Sequence, residues 1–121
     1  SSEQTVLVHH LRDHLLTNRE GYISLASLAA EHEISVSHLQ KLFKQVYGVP
    51  IYRYIKEYRL DQAAVELVRS GKSVTEIAQQ AGYDNASKFS ESFKKRYGKT
   101  PSRYRADKKN AVKRSIKNKT E

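Results

Sequence analysis

The chain contains the same passage twice. SLASLAAEHEISVSHLQKLFKQVYG (Ser24–Gly48) returns as SVTEIAQQAGYDNASKFSESFKKRYG (Ser73–Gly98). Ser24 and Ala29 match Ser73 and Ala78 at an offset of 49, while Ser37, Phe43, Lys44, Tyr47 and Gly48 match Ser87, Phe93, Lys94, Tyr97 and Gly98 at an offset of 50. The one-residue change falls between the two short helices of each copy, where an insertion does least harm. A repeat restricts the fold more than any local propensity, because each copy must close its own small core.

Between the copies lies IYRYIKEYRLDQAAVELVRS, Ile51–Ser70, bounded by Pro50 and Gly71. Proline suits a helix start and glycine the residue just past its end, so the spacing predicts one uninterrupted helix. Twenty residues at 1.5 Å of rise span about 30 Å. Its apolar side switches halfway: Ile51, Tyr54, Ile55 and Tyr58 share one face, and Leu60, Ala63, Ala64, Leu67 and Val68 lie nearly opposite. Such a helix serves two separate cores.

The remaining elements follow from periodicity and caps. Gln4–Asn18 places Val8, Leu11, Leu15 and Leu16 at helical spacing, and Glu20-Gly21 ends it. Ser24 and Ser35 cap the next two helices, the second closing at Gly48. Ser73 with Glu76 makes a capping-box pattern, and Asp84 or Asn85 caps the helix that runs to Gly98. Thr100-Pro101 opens a last short helix, PSRYRA. Residues 107–121 carry six Lys/Arg against two acids without an apolar period, and are expected to be a flexible basic tail. The expected fold is all-α, about seven helices: a first lobe over 4–49, the linker helix over 50–70, a second lobe over 73–105 and the tail from 106.

Two short helices joined by a tight turn are helix-turn-helix units. The first helix needs a small residue at the crossing, supplied by Ala29 and Ala78. The turn favours a positive φ, which Gly82 adopts without strain; in the first copy that place is Glu33. In the second helix of each unit an apolar back stands behind a polar front. The back is Leu39, Leu42, Phe43 and Val46 in one copy, and Phe89, Phe93 and Tyr97 in the other. The fronts, Ser37, Gln40, Lys41 and Lys44, then Ser87, Ser90, Glu91 and Lys94, occupy equivalent positions.

Charge follows the same plan. The formal net charge is +9, which favours a polyanionic partner. No acid falls between Glu33 and Glu57, a span holding Lys41, Lys44, Arg53 and Lys56. None falls between Glu91 and Asp107, where Lys94, Lys95, Arg96, Lys99, Arg103 and Arg105 sit. Segregated cations around both candidate reading helices suit a phosphate-facing side. Expected phosphate contacts are Lys44, Arg53, Lys56, Lys94, Lys95, Arg96, Lys99 and Arg103.

These residues carry a resemblance. AEHEISVSHLQKLFKQVYG with YIKEYRL, then EIAQQAGYDNASKFSESFKKRYGKTPSRYR, resembles the DNA-binding domain of the AraC/XylS family of bacterial transcription regulators, most specifically over Gly82–Arg105. The resemblance spans roughly Val6 to Arg105. It implies a seven-helix, two-lobed domain that binds double-stranded DNA as one polypeptide, with recognition helices over about 36–46 and 86–96. It also implies base-edge contacts at Ser37, His38, Gln40 and Lys41, and at Ala86, Ser87, Lys88, Ser90 and Glu91. A sensory or dimerising domain usually precedes this one in the family, and RNA polymerase is the expected protein partner of an activator. The isolated domain is expected to be monomeric.

Ordinary helix-turn-helix proteins dimerise to reach two major-groove segments about 34 Å apart. A linker helix of similar length sets that separation within one chain, and the shared N-to-C order of the copies calls for an asymmetric site. Gln40 can pair bidentately with adenine and Lys41 can donate to guanine. Ala86 has nothing to hydrogen-bond, and Glu91 accepts from cytosine but repels phosphate, so the first helix is expected to read better. Against these stands a second reading, a nonspecific or architectural nucleic-acid binder driven by charge alone.

Other classes find little purchase. There is no cysteine, which excludes disulfides and thiolate zinc sites. No paired carboxylates in a pocket-forming context and no Gly-rich phosphate loop after a strand suggest an enzyme. His10 and His14 lie one turn apart but have no third ligand, so neither metal nor cofactor is expected. No run approaches a membrane span and no signal peptide opens the chain, so an intracellular, soluble protein is expected; the resemblance implies the bacterial cytoplasm, in association with the nucleoid.

Overall fold

A computed structural model of the chain describes residues 2–17 and 25–120, with side chains over 3–13 and 25–116. All secondary structure among the described residues is helical: α1 Ser2–Thr17, α2 Leu25–Glu31, α3 Val36–Tyr47, α4 Ile51–Arg69, α5 Val74–Gln80, α6 Ala86–Tyr97 and α7 Pro101–Thr120. The Ser24 cap and the Glu20-Gly21 stop fall outside the described residues. The chain divides into two compact units between Lys56 and Glu57, inside α4.

The first unit closes around Val8 and Leu11 of α1, Leu25 and Ala29 of α2, Leu39, Leu42 and Phe43 of α3, and Ile51 at the start of α4. Tyr54 and Ile55 pack against this cluster. Ser35 caps α3, its hydroxyl accepting from the His38 N–H at 3.0 Å. Gly48 closes the helix by donating its N–H to the Lys44 carbonyl at 2.8 Å. The turn between α2 and α3 places Glu33 at φ 57°, the one non-glycine residue with a positive φ among those described. An L-residue there carries a steric cost that glycine avoids.

The second unit repeats the scheme with Leu60, Ala63, Ala64 and Leu67 of α4, Ile77 and Ala78 of α5, Ala81, and Phe89 and Phe93 of α6. Asn85 provides the cap of α6, its side chain accepting from the Lys88 N–H at 2.9 Å. At Ser73 the hydroxyl accepts from the Glu76 N–H at 3.1 Å, and that same hydroxyl reaches the Glu76 carboxylate at 3.4 Å. Gly82 stands in the turn at φ 88°, where an added Cβ would lie 2.9 Å from Arg59 Nη1.

The switch of apolar face along α4 therefore corresponds to two clusters, one per unit. Two residues of the expected faces stay partly outside them: Val68 is 37% exposed and Tyr58 is half-buried.

Each unit builds the same aromatic knot. Phe43 and Tyr47 lie 4.6 Å apart, Phe43 meets Tyr54 edge-on at 5.3 Å and 80°, and Tyr47 meets Tyr54 at 5.2 Å. Phe93 and Tyr97 also lie 4.6 Å apart, Phe93 meets Tyr104 at 5.3 Å and 79°, and Tyr97 meets Tyr104 at 5.3 Å. Edge-to-face and offset contacts at these distances suit the ring quadrupoles.

The last helix departs from the sequence expectation. Instead of ending near Arg105 before a flexible tail, α7 continues to Thr120. Nothing in 102–120 breaks a helix, since neither glycine nor proline occurs there. The missing apolar stripe signalled missing packing rather than missing helix: every described residue from Lys108 to Ile116 is exposed.

Candidate nucleic-acid interface

In the first unit, burial of Leu39, Leu42 and Phe43 turns the opposite side of α3 outward. Ser37, His38, Lys41 and Lys44 are exposed, and Gln40 is half-buried beside them. Val46, expected in the core, is 39% exposed. It sits in the last turn of the helix, where Tyr47 rather than Val46 packs on Phe43. Arg53 and Lys56 are exposed on the first turns of α4.

The tyrosine that ends α3 is tied to α1. Tyr47 Oη and His9 Nδ1 share a hydrogen bond at 2.6 Å, and the Arg12 guanidinium lies 5.6 Å from the centre of the Tyr47 ring. Burial pushes the Tyr47 hydroxyl up, with Arg12 opposing. Neither His9 nor Arg12 carries a signal in the sequence that marks this role.

In the second unit Phe89 and Phe93 are fully buried, and Ser87, Lys88, Glu91 and Lys94 are exposed on the other side of α6. Ala86 and Ser90 are half-buried. Glu91 and Lys95 approach to 3.9 Å one turn apart, so Glu91 offsets part of the charge of the helix that carries it.

The expected phosphate contacts of this unit divide by what they touch. Lys94 and Lys95 project from the exposed side of α6. Arg96 instead clamps Asp61 through two parallel hydrogen bonds, 2.7 and 2.9 Å, and lies 3.5 Å from Glu57. Asp61 also accepts from the Tyr97 hydroxyl. The Arg96 guanidinium thus holds α6 on α4, through acids that stand well before the second copy begins. The bond from Arg96 holds the Asp61 carboxyl below the usual carboxylate range.

Lys99 and Arg103 converge on one acid. Lys99 Nζ lies 2.7 Å from Asp107 Oδ2 and Arg103 Nε lies 3.2 Å from Asp107 Oδ1. Lys99, then Arg103, keep the Asp107 carboxyl charged by lowering its proton affinity. Arg105, one of the cations of the segregated run, donates to the Leu67 and Lys72 carbonyls at 2.8 and 2.6 Å. It ties α7 to the last turn of α4, where helical acceptors lack partners, and to the connection that follows it. No sequence signal marks a backbone acceptor, so this role was unreadable.

Among the described residues no group of His, Asp and Glu could hold a metal ion. The side chain of His14 lies outside the described residues. No helix among them is long and apolar enough to cross a membrane.

A family profile described as a helix-turn-helix domain matches residues 28–107. A transcriptional regulator from Chromobacterium violaceum, described as AraC-type and DNA-binding, superposes with a TM-score of 0.75 at 25% identity, covering 88% of this chain and 95% of that one. This chain belongs to the AraC/XylS family.

The C-terminal domain of AraT, a response regulator from Geobacillus stearothermophilus, gives a TM-score of 0.74 at 28% identity over 84% of each chain. The right origin-binding protein of Escherichia coli is 38% identical over 99 residues, which is 78% of this chain and 34% of that protein. The transcriptional activator AarP of Providencia stuartii is 36% identical over 90 residues, 74% of this chain and 64% of that one. The chain therefore spans about a third of the length of the Escherichia coli relative. As an AraC/XylS domain it has its second helix-turn-helix unit wholly within the profile, which begins inside α2 of the first; α1, the start of α2 and the end of α7 lie beyond it.

Proposed function

We propose that this chain binds double-stranded DNA at a preferred sequence as the DNA-reading part of a transcription regulator, most simply an activator. The observation that carries the reading is the doubled front. Two twelve-residue helices, α3 and α6, each backed by the same aromatic knot, present short polar and basic side chains at equivalent positions. Residues of this size suit base edges in a major groove.

Ser37, His38, Gln40 and Lys41 are the proposed base contacts of α3, and Ala86, Ser87, Lys88, Ser90 and Glu91 those of α6. Lys44, Arg53, Lys56, Lys94 and Lys95 are proposed to hold phosphates, with Arg96 joining once it leaves Asp61, and Lys99 and Arg103 once they leave Asp107. The two helices address successive major-groove segments of one asymmetric site. RNA polymerase is the proposed protein partner, and a preceding domain of the whole protein the proposed source of dimerisation and ligand sensing. The names of two relatives, an origin-binding protein and a transcriptional activator, agree with a DNA ligand.

Selection of preferred duplexes from a random pool, followed by footprinting, tests the proposal. One asymmetric footprint is expected, and Gln40→Ala or Lys41→Ala should cost about 1–3 kcal/mol on the selected site with little effect on random duplex. Equal losses on every sequence would show instead a nonspecific binder held by charge.

A further inference from the structure

Beyond Lys108 every described residue of α7 is exposed, yet the chain remains helical to Thr120. The start of the same helix is well held. Pro101 is buried, Tyr104 meets Phe93 and Tyr97, and Arg105 binds two carbonyls. The profile shared with the family ends at residue 107, where the packing ends. The last fourteen residues, KKNAVKRSIKNKTE, hold six Lys/Arg and one acid.

Of the four described cations beyond Asp107, three share one side of the helix, and the fourth, Lys108, lies over the Tyr104 ring. At 100° per residue Lys109, Lys113 and Arg114 fall within an arc of about 140°, and Arg103 lies within that arc too. Val112 and Ile116, 52% and 59% exposed, border it on one side. Arg114 lies eleven residues beyond Arg103, about 16 Å along the axis. Over such a length one strand of B-DNA presents about five phosphates. Among the described residues no carboxylate pairs with Lys109, Lys113 or Arg114, in contrast to Lys99 and Arg103, which Asp107 holds.

We infer that the free stretch of α7 is a second phosphate-binding surface, which grips the DNA backbone beside the segment read by α6. The occupant is the sugar-phosphate strand because the arc is cationic and continuous with Arg103, and because the described side chains from Lys108 to Ile116 bury nothing. This inference rests on the DNA-binding reading above. It adds a contact outside the helix-turn-helix units.

The test compares the 121-residue chain with K109Q/K113Q/R114Q and with a chain ending at Asp107. Binding is measured on the selected site with and without about ten base pairs of added duplex, one helical turn, across a range of salt. On the extended duplex both variants should bind more weakly. The plot of log affinity against log salt should be shallower by about 2–3 for the triple variant, close to 0.9 for each phosphate no longer neutralised. Preference for the selected over a scrambled site should stay unchanged. Identical affinities and slopes for all three chains overturn the inference. So does a loss produced by V112S/I116S but not by the charge variant, which would assign this helix to an apolar partner. An unaltered chain that binds no duplex overturns the DNA-binding reading itself, an outcome visible before any variant is compared.

Discussion

Arg96 grips Asp61 through two parallel hydrogen bonds, Nε to Oδ1 at 2.7 Å and Nη2 to Oδ2 at 2.9 Å. The pair joins the end of α6 to the middle of α4, and it fixes the tilt of the proposed reading helix against its own core. Planar two-point geometry makes such a pair stronger and more directional than a lysine contact.

Replacing Asp61 with Asn should lower stability at neutral pH by about 0.5–1.5 kcal/mol. The figure stays modest because 45% of the Asp61 side chain is exposed and water screens the pair. Arg96 first, then Tyr97, holds the carboxyl below its ordinary value. The stabilisation is therefore complete above the unfolded carboxyl value of about 4 and is lost as pH falls through the lower folded value. Urea midpoints of the two chains should differ at pH 7 and converge in acid.

Tyr97 should titrate late. Burial, then its hydrogen bond to Asp61, pushes its hydroxyl up to about 12. A raised folded value means that the contribution is intact below the unfolded value of about 10 and is lost as pH climbs from there toward 12. Tyr97→Phe keeps the ring stack with Phe93 and should remove one late step from the ultraviolet titration of the tyrosines. It should also flatten the fall in stability over that alkaline window.

The two turns predict opposite responses to exchange. Glu33→Gly relieves an L-residue at φ 57°. It should be neutral to stabilising, by up to about 1 kcal/mol. Gly82→Ala forces a side chain to φ 88° and against the Arg59 guanidinium, and should destabilise by about 1–2 kcal/mol. Thermal melts of the two variants decide the sign in each case.

Asp107→Asn should tighten binding to random duplex. The substitution releases Lys99 and Arg103 from their shared carboxylate, so that both cations can meet phosphates without first leaving an anion. The salt dependence of binding should steepen, while the ratio between selected and scrambled sites should fall.

Much of this was readable because duplication is a long-range signal carried by short-range patterns. Ala29 and Ala78, Phe43 and Phe93, and the caps at Ser35 and Ser73 each stand where helix geometry needs them. The face switch within α4 was legible for the same reason, since a helix's period tells which residues share a side. What escaped were partnerships across sequence. Arg96 and Lys94 look alike in a basic run, and only the fold brings Asp61 and Glu57 beside the first of them. The extent of α7 escaped for another reason: with no core to face, it carries no apolar rhythm. The basic helical front was visible at Lys41 and Lys44, whereas the fixing of Tyr47 by His9 had no local signature.

The first core also sets how short a useful piece of this protein can be. Val8, Leu11 and Leu25 fill that core and His9 secures Tyr47, yet all four precede residue 28, where the family profile begins. A fragment cut to the profile would keep every residue of the second core and leave the first open along one flank. Anyone trimming the chain for crystallisation or display should keep α1, because the smallest piece able to hold both reading helices begins well upstream of the stretch by which its kinship is recognised.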